Sequence, residues 1–186
     1  MKGRDIFMHI ESNRLILRNW EEADVDALVD GLNNINVSKW LANIPFPYTK
    51  KDAIDYINMV KDDDGVKKNA FAIVLKETGE VIGGTEYREV NKKDGTASGG
   101  IWLNEKFQKN GYGSEAFSIR NKYCFEVLGL RRMENGYFPN NEKSRKMQLK
   151  LGYKDEGIKR QRFVSKATGK IEDEYITGLL KDEWIK

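Results

Sequence analysis

The stretch of sequence that decides the fold, residues 102–116, reads WLNEKFQKNGYGSEA. Its pattern predicts the end of a strand, then a loop that contains Gly111 and Gly113, then a helix. Glycines in such a loop let the backbone approach a ligand closely, and the free N–H groups of a first helical turn bind phosphate oxygens. The stretch therefore indicates either a site for an anionic ligand or a purely structural turn.

Hydrophobic periodicity predicts the elements on either side of this stretch. The predicted strands are 14–18, 71–75, 81–90, 97–103, 133–138 and two more around 168–169. Three predicted helices cover residues 21–32, 113–128 and 142–151. A fourth begins at Thr49 with Asp52 as its capping partner and ends at the acidic run 62–65. Helices, an antiparallel meander and alternating helix and strand predict one mixed α/β domain over residues 1–186, in which 1–10 is a short extension.

Composition excludes several functional classes. The chain has 186 residues, 39% of them hydrophobic, and a net charge of +3 that is spread along the sequence, which argues against a dedicated nucleic-acid binder. A single cysteine, Cys124, excludes an intrachain disulfide, and a single histidine, His9, excludes zinc sites or triads built from several histidines. The longest apolar run, 70–75, is far shorter than the ~20 residues of a membrane span, so we expect a cytoplasmic protein with no membrane partner.

Several motifs, in one order along the chain, resemble a known family. Gln108-x-x-Gly111-x-Gly113 resembles the pyrophosphate loop of the GNAT-type N-acetyltransferases. Segment 11–18 is similar to the first strand of that superfamily's ribosomal-protein N-terminal (alanine/serine) acetyltransferase branch. Segments 141–157 and 173–184 are similar to the fourth-helix signature and to the closing strand and tail, so the resemblance covers most of the chain.

The resemblance implies a fold and a cosubstrate. The fold is a twisted, mostly antiparallel sheet of about seven strands flanked by about four helices, and its fourth and fifth strands splay apart to admit the pantetheine arm of acetyl-CoA. The implied partners are acetyl-CoA and a primary amine, which belongs to a small molecule or to a protein N-terminus. The chemistry needs no metal, and a monomer and a homodimer are both compatible with the sequence.

The same resemblance implies a set of cofactor-binding residues. Backbone N–H groups of Trp102 and Leu103 would hold the acetyl group and pantetheine, and those from Lys109 to Ser114 would hold the pyrophosphate. The full expected set is Trp102, Leu103, Gln108, Lys109, Asn110, Gly111, Tyr112, Gly113, Ser114, Asn141 and Ser144. The Trp102 side chain is also expected in the core, and Asn141 either binds the pantetheine amides or caps a helix.

Ser144 is the expected proton donor to the CoA thiolate, because this branch places serine where other branches carry a tyrosine further along the helix. The alternative is a serine that serves only the first helical turn. Many relatives carry a glutamate base at the position that aligns with Ser98, so this chain departs from the pattern. The remaining candidate base is Glu86, unless the base works through water; its alternative role is a surface pair with Arg88.

Two further expectations concern Glu86 and the acceptor. Glu86 is predicted on the same side of its strand as Gly84 and Ile82. The aromatic loop 38–48 either lines the acceptor site or packs between the first two helices.

The sequence as a whole predicts an acetyl-CoA-dependent N-acetyltransferase. Because Cys124 lies on the apolar stripe of a helix, we expect a core cysteine and direct transfer without an acetyl-enzyme. The alternatives are a non-catalytic CoA-binding or regulatory module with the same fold and, more weakly, a nucleic-acid-associated domain.

Overall fold

The computed structural model describes residues 9–61 and 67–184, which contain eight strands and five α-helices. The strands are β1 (Ile10–Glu11), β2 (Leu15–Asn19), β3 (Asn69–Leu75), β4 (Val81–Asn91), β5 (Thr96–Leu103), β6 (Arg132–Tyr137), β7 (Lys154–Val164) and β8 (Ile171–Leu180). The helices are α1 (Val25–Leu32), α2 (Ile35–Ser38), α3 (Lys50–Lys61), α4 (Tyr112–Lys122) and α5 (Glu142–Lys150). The acidic run 62–65 and most of the predicted extension 1–10 lie outside the described residues.

The strands form one sheet in the order β1-β2-β3-β4-β5-β6-β8-β7, in which only the β5–β6 pair is parallel among the described strands. This mixed, mostly antiparallel architecture confirms the predicted fold class. The described residues contain eight strands and five α-helices, one more of each than the sequence predicts. The additional elements, β1 with two residues and α2 with four, are too short to show a hydrophobic period.

The parallel pair β5–β6 separates partway along its length. Pairing runs from Thr96 opposite Arg132 to Gly99 opposite Asn135 and ends there, although both strands continue. We call the opening beyond this last pair the fork. The sequence did not predict β1, so β5 and β6 are the fourth and fifth of the predicted strands. The fork between them is therefore the predicted splay.

Apolar side chains cover both faces of the sheet. We call the side beneath α4 and α5 the α4 face and the side beneath α1 and α3 the α1 face. Side chains on the α4 face include Leu15, Leu17, Phe71, Ile82, Tyr87, Phe117, Phe125 and Met133. Side chains on the α1 face include Trp20, Leu28, Leu32, Ala53, Ile57, Ala70, Ala72 and Trp102.

A bulge in β4 changes the direction of one side chain. Because the register between β3 and β4 shifts by one residue, Ile82 is fully buried on the α4 face. Gly84 instead lies against Trp20 and Trp102 on the α1 face. The prediction that Glu86 shares a side with Gly84 therefore holds, whereas the prediction that Ile82 lies on the same side is wrong.

The helix after the decisive loop begins and ends almost where the period predicts. It starts at Tyr112 as α4 and continues beyond Lys122 as a π-helical turn over Tyr123–Val127. The described helices include none with the length and apolar character that crossing a membrane requires.

Candidate active site

The end of β5 supplies backbone groups to the fork. The Asn104 N–H donates to the Ile82 carbonyl at 2.9 Å, and the Trp102 carbonyl lies 2.3 Å from where a Cβ on Gly83 would stand. Both contacts point toward β4. Since alternate residues of a strand direct their N–H and C=O groups to the same edge, the backbone of Trp102 faces β4 and that of Leu103 faces the fork. Of the two expected donors, only Leu103 is turned toward the expected pantetheine site.

Gln108 connects the end of β5 to the start of α5. Its side-chain Nε2 donates to the Leu103 carbonyl at 3.1 Å, and its Oε1 accepts from Lys143 Nζ at 3.1 Å. Gly113 fits closely into the same junction, because a Cβ there would stand 3.3 Å from Leu103 Cδ1 and 3.4 Å from Met147 Sδ. The glutamine and this glycine of the motif therefore fix the loop between the two elements that border the fork.

The start of α4 presents a row of free backbone N–H groups. Lys109 and Gly111 have left-handed φ angles of 71° and 81°, a conformation that lets successive N–H groups converge on an anion. The first helical hydrogen bond runs from the Glu115 N–H to the Gly111 carbonyl at 3.1 Å, so the N–H groups of residues 112–114 have no acceptor within the helix. With the positive end of the helix dipole and the Lys109 cation, this turn fits a pyrophosphate.

Arg14 stabilises this loop through contacts with Asn110, Tyr112 and Glu115, a role that the sequence did not predict. Its Nη1 donates to the Asn110 carbonyl at 3.2 Å, and its guanidinium lies 4.5 Å from the centroid of the Tyr112 ring. Its Nε donates to Glu115 Oε2 at 2.7 Å, and the Ser12 hydroxyl donates to the other oxygen of that carboxylate at 2.7 Å. Because Arg14 is 96 residues from the loop carbonyl it binds, no local pattern could have revealed the contact.

Asn141 and Ser144 lie at the start of α5, which comes after β6 on the other side of the fork. Asn141 is the N-cap residue, and its Oδ1 accepts from the Ser144 N–H at 3.2 Å. This is the capping alternative of the sequence analysis, and it leaves the side-chain NH₂ of Asn141 available as a donor. One residue can therefore cap α5 and still bind a ligand.

The hydroxyl of Ser144 belongs to a short polar chain. Its Oγ accepts from the Nε2 of the fully buried Gln148 at 2.9 Å. The Gln148 Oε1 accepts from the Thr177 hydroxyl on β8, whose oxygen also lies 3.1 Å from the Asn135 carbonyl on β6. Because Ser144 accepts in this chain, its own proton stays free to be donated. Gln148 was missed, although its spacing of four residues from Ser144 places both on one helix face.

The candidate base Glu86 lies on the α1 face at the mouth of the fork. Its Oε1 is paired with Arg88 Nη1, as the surface-pair alternative expects. A Cβ on Gly100, the first β5 residue past the last β5–β6 pair, would stand 3.5 Å from that oxygen. The Ser98 hydroxyl donates to Glu89 Oε2 at 2.7 Å.

The α1 face also carries an open cleft of about 550 Å³. The lining residues are Asp30, Asn33, Asn34, Ile35, Phe46, Asn104, Glu105 and Lys106. In the aromatic loop, Phe46 is 42% exposed at this cleft, whereas Tyr48 is buried in the core beside the first helices, as the packing alternative expects. The Trp102 side chain stacks on Trp20 with 6.4 Å between ring centroids, so it is a core aromatic as expected.

Cys124 is fully buried, which confirms the prediction that it is a core residue. Burial raises the pKa of its thiol to about 11, against the opposing charge of Arg120, so the thiolate is disfavoured near neutral pH. Within residues 9–61 and 67–184, no three histidine, cysteine or acidic side chains gather as a metal site.

The sheet thus forks between two parallel strands, with an anion-binding turn after one of them and a capped helix after the other. A family model described as an acetyltransferase (GNAT) domain matches residues 14–154. The chain belongs to the GNAT acetyltransferase family, whose enzymes are N-acetyltransferases, and the resemblance seen in the sequence is confirmed.

Related proteins agree with this assignment. The uncharacterized N-acetyltransferase p20 of Bacillus licheniformis is 34% identical over 175 residues, which are 93% of this chain and 96% of that protein. YdaF of Bacillus subtilis, whose name provisionally marks it as a ribosomal N-acetyltransferase, is 24% identical over 180 residues, 93% of this chain and 94% of its own length. The spermidine N-acetyltransferase of Vibrio cholerae, solved with CoA and spermine, shares the fold with a TM-score of 0.79, 20% identity and coverage of 94% and 100%.

Proposed function

We propose that this protein transfers the acetyl group of acetyl-CoA directly to a primary amine in a ternary complex in the cytoplasm. The observation that carries the proposal is the pair of groups located just after the two strands of the fork. The N–H row at the start of α4 comes after β5, and the Ser144 hydroxyl comes after β6. A pantetheine arm lying in the fork would therefore have its pyrophosphate near the first group and its sulfur near the second.

The residues of the fork fit acetyl-CoA. The N–H groups of residues 112–114 and the Lys109 cation suit the pyrophosphate, and the side-chain NH₂ of Asn141 is available to bind an amide carbonyl of the arm. Exposed cations at the start of α5 suit the additional phosphate of CoA, and the relevant residues are Lys143 and Lys146. Acetyl-CoA would supply the activated thioester, and the protein would supply the groups that bind it and move protons.

The chemistry of acetyl transfer needs little more than these groups. The amine must be neutral, the carbonyl oxygen must be stabilised as its charge develops, and the leaving thiolate must receive a proton. The Leu103 N–H faces the fork as a donor to the oxygen, and Ser144 holds a free hydroxyl proton for the sulfur. Holding the amine and the thioester together contributes further, since effective-molarity gains reach ~7–11 kcal/mol.

Direct transfer is favoured over an acetyl-enzyme because neither the cysteine nor the histidine of this chain is an activated nucleophile. Its one cysteine is buried with a raised pKa, and its one histidine, His9, pairs with Glu11 on the edge strand β1. A ternary complex should give intersecting lines in initial-velocity plots, whereas a covalent acetyl-enzyme should give parallel lines.

The acceptor is proposed as a primary amine, either on a small molecule or at a protein N-terminus. The V. cholerae relative was solved with spermine, and the YdaF name points to a ribosomal protein. Both substrates present a primary ammonium group, which is the feature common to them.

The test is a measurement of thiol release from acetyl-CoA with two acceptors, spermine and a peptide that begins with a free serine or alanine. We expect saturable release with at least one of them, and a mass increase of one acetyl group on that acceptor. If the protein binds acetyl-CoA in calorimetry but acetylates no amine, the non-catalytic CoA-binding alternative is correct. If it binds no CoA at all, both interpretations fail.

A further inference from the structure

A second carboxylate, Glu174 on β8, lies at the mouth of the fork. A Cβ on Gly136 would stand only 2.2 Å from Glu174 Oε1, so the carboxylate lies directly over that glycine. Gly136 is the first β6 residue past the last β5–β6 pair, just as Gly100 is the first on β5. The absence of a side chain at Gly136 is what lets the carboxylate lie over this strand.

Glu174 lies on the face of β8 opposite to the Ser144 chain. Strand β8 pairs with β6 without a register shift from Tyr175 to Leu180, so its side chains alternate regularly. Thr177 points to the α4 face, where it bonds to Gln148. Glu174, three residues earlier, therefore points to the α1 face. A thioester in the fork would have Ser144 on one side of the sheet and Glu174 on the other.

The surroundings of Glu174 leave its negative charge poorly stabilised. Its side chain is 15% exposed, and the nearest cation, Arg162 Nε on β7, is 3.9 Å away. Burial raises the pKa of the Glu174 carboxyl, which Glu134 on β6 reinforces and the cations of Lys159, Arg162 and Arg88 oppose. A carboxylate of this kind accepts a proton more readily than a solvated one.

Two other carboxylates near the mouth of the fork, Glu86 and Glu134, are already held in ion pairs. Glu86 is paired with Arg88 and is 37% exposed, and Glu134 is 38% exposed, with Arg132 and Lys159 each at 3.4 Å. Direct ion pairs occupy the oxygens that a base would use. Glu174 is thus the best proton acceptor among the described carboxylates at the mouth of the fork.

We propose that Glu174 is the catalytic base, which takes a proton from the acceptor ammonium before attack. This inference rests on the proposed acetyl transfer. The neutral nitrogen then forms a bond to the thioester carbon, and the C–S bond breaks. The nitrogen loses two protons in all, of which one goes to Glu174 and from there to water. The second replaces the proton that Ser144 gives to the sulfur.

The test compares Glu174→Gln with Glu172→Gln as the matched control. Glu172 lies on the same strand and the same face, beyond the last β6–β8 pair. We expect E174Q to lower kcat/KM at neutral pH by ~10²-fold or more and to move the acidic fall in rate to higher pH, since the base no longer titrates and only the acceptor amine's own ionisation then supplies the neutral nucleophile. Acetyl-CoA affinity and thermal stability should be retained, and E172Q should behave as wild type.

Three other outcomes would overturn the inference. If E174Q transfers the acetyl group at the wild-type rate and with the wild-type pH profile, Glu174 is not the base. A loss of activity in E174Q that comes with weaker acetyl-CoA binding or a lower Tm assigns it a structural role. If Glu86→Gln loses activity and E174Q does not, the base is Glu86, the candidate that the sequence predicted. Absence of transfer by the wild type itself is distinguishable from these results, because it overturns the proposed function.

Discussion

Replacing Gln148 with methionine tests whether the polar chain behind Ser144 positions its hydroxyl. Methionine has a similar length and fits a buried site, but it neither donates to Ser144 nor accepts from Thr177. The substitution removes two hydrogen bonds, each worth about 1 kcal/mol net, while Thr177 keeps the Asn135 carbonyl 3.1 Å away. We expect a loss of about 2 kcal/mol in the free energy of unfolding, which corresponds to a fall in Tm of roughly 4–8 °C.

The effect on catalysis should depend on Ser144. Without the bond from Gln148 at 2.9 Å, the hydroxyl is free to rotate, and we expect kcat to fall by about 10-fold, equivalent to ~1.4 kcal/mol. In a background that already carries Ser144→Ala, Gln148→Met should lower kcat no further. Thr177→Val is the control, since it removes the second bond and leaves the first in place.

The assay is a double-mutant cycle on kcat, with Tm measured on every variant. A positioning role requires that the loss of kcat from Gln148→Met disappears when Ser144 is absent. If Gln148→Met costs the same factor in both backgrounds, or if Thr177→Val lowers kcat by the same factor for a matched fall in Tm, the residue serves stability alone and the positioning role is refuted.

Three further changes test other parts of the site. Ser144→Ala should lower kcat by ~10²-fold with little change in the KM for acetyl-CoA, and an unchanged kcat when chemistry limits the rate would make Ser144 structural. Gly111→Val should weaken CoA binding in calorimetry by more than ~10-fold, because the left-handed φ of 81° is strained with a branched side chain; Gly129→Val, with φ 70° and no neighbour within 4 Å, is the control and should bind CoA normally. Cys124→Ala should keep most of the activity and lose about 1–2 kcal/mol of stability, whereas an acetyl group trapped on Cys124 would contradict direct transfer.

The parts of the site that could be predicted are local in sequence. The loop from Gln108 to Gly113 and the cap at Asn141 each depend on residues within a few positions of one another. Turn chemistry and helix capping therefore identify them without knowledge of the fold. The long strands and helices were predictable for the same reason, since period two or 3.6 persists over most of their length.

The parts that could not be predicted depend on pairing between distant strands. The bulge that turns Ile82 to the α4 face is a property of the β3–β4 register, and no residue type in β4 predicts it. The orientation of the Trp102 backbone toward β4 depends on strand pairing in the same way. Glu174 looks like any charged residue of a terminal strand until β8 is paired with β6, which places it over Gly136.

Strand β8 connects the two sides of the proposed chemistry. In the proposed mechanism, Thr177 orients the acid Ser144 through Gln148, and Glu174, three residues earlier on the opposite face, is the base. A shift of one residue in the pairing of β8 would exchange the two faces and misplace both groups together. Gly178 fits the observed register, because a Cβ there would stand 2.3 Å from Glu156 Oε1 and 2.5 Å from Arg132 Nη1, which form an ion pair across β6 and β7. The pairing of β8 with β6 therefore sets the distance between the proposed proton donor and proton acceptor on the two faces of the sheet.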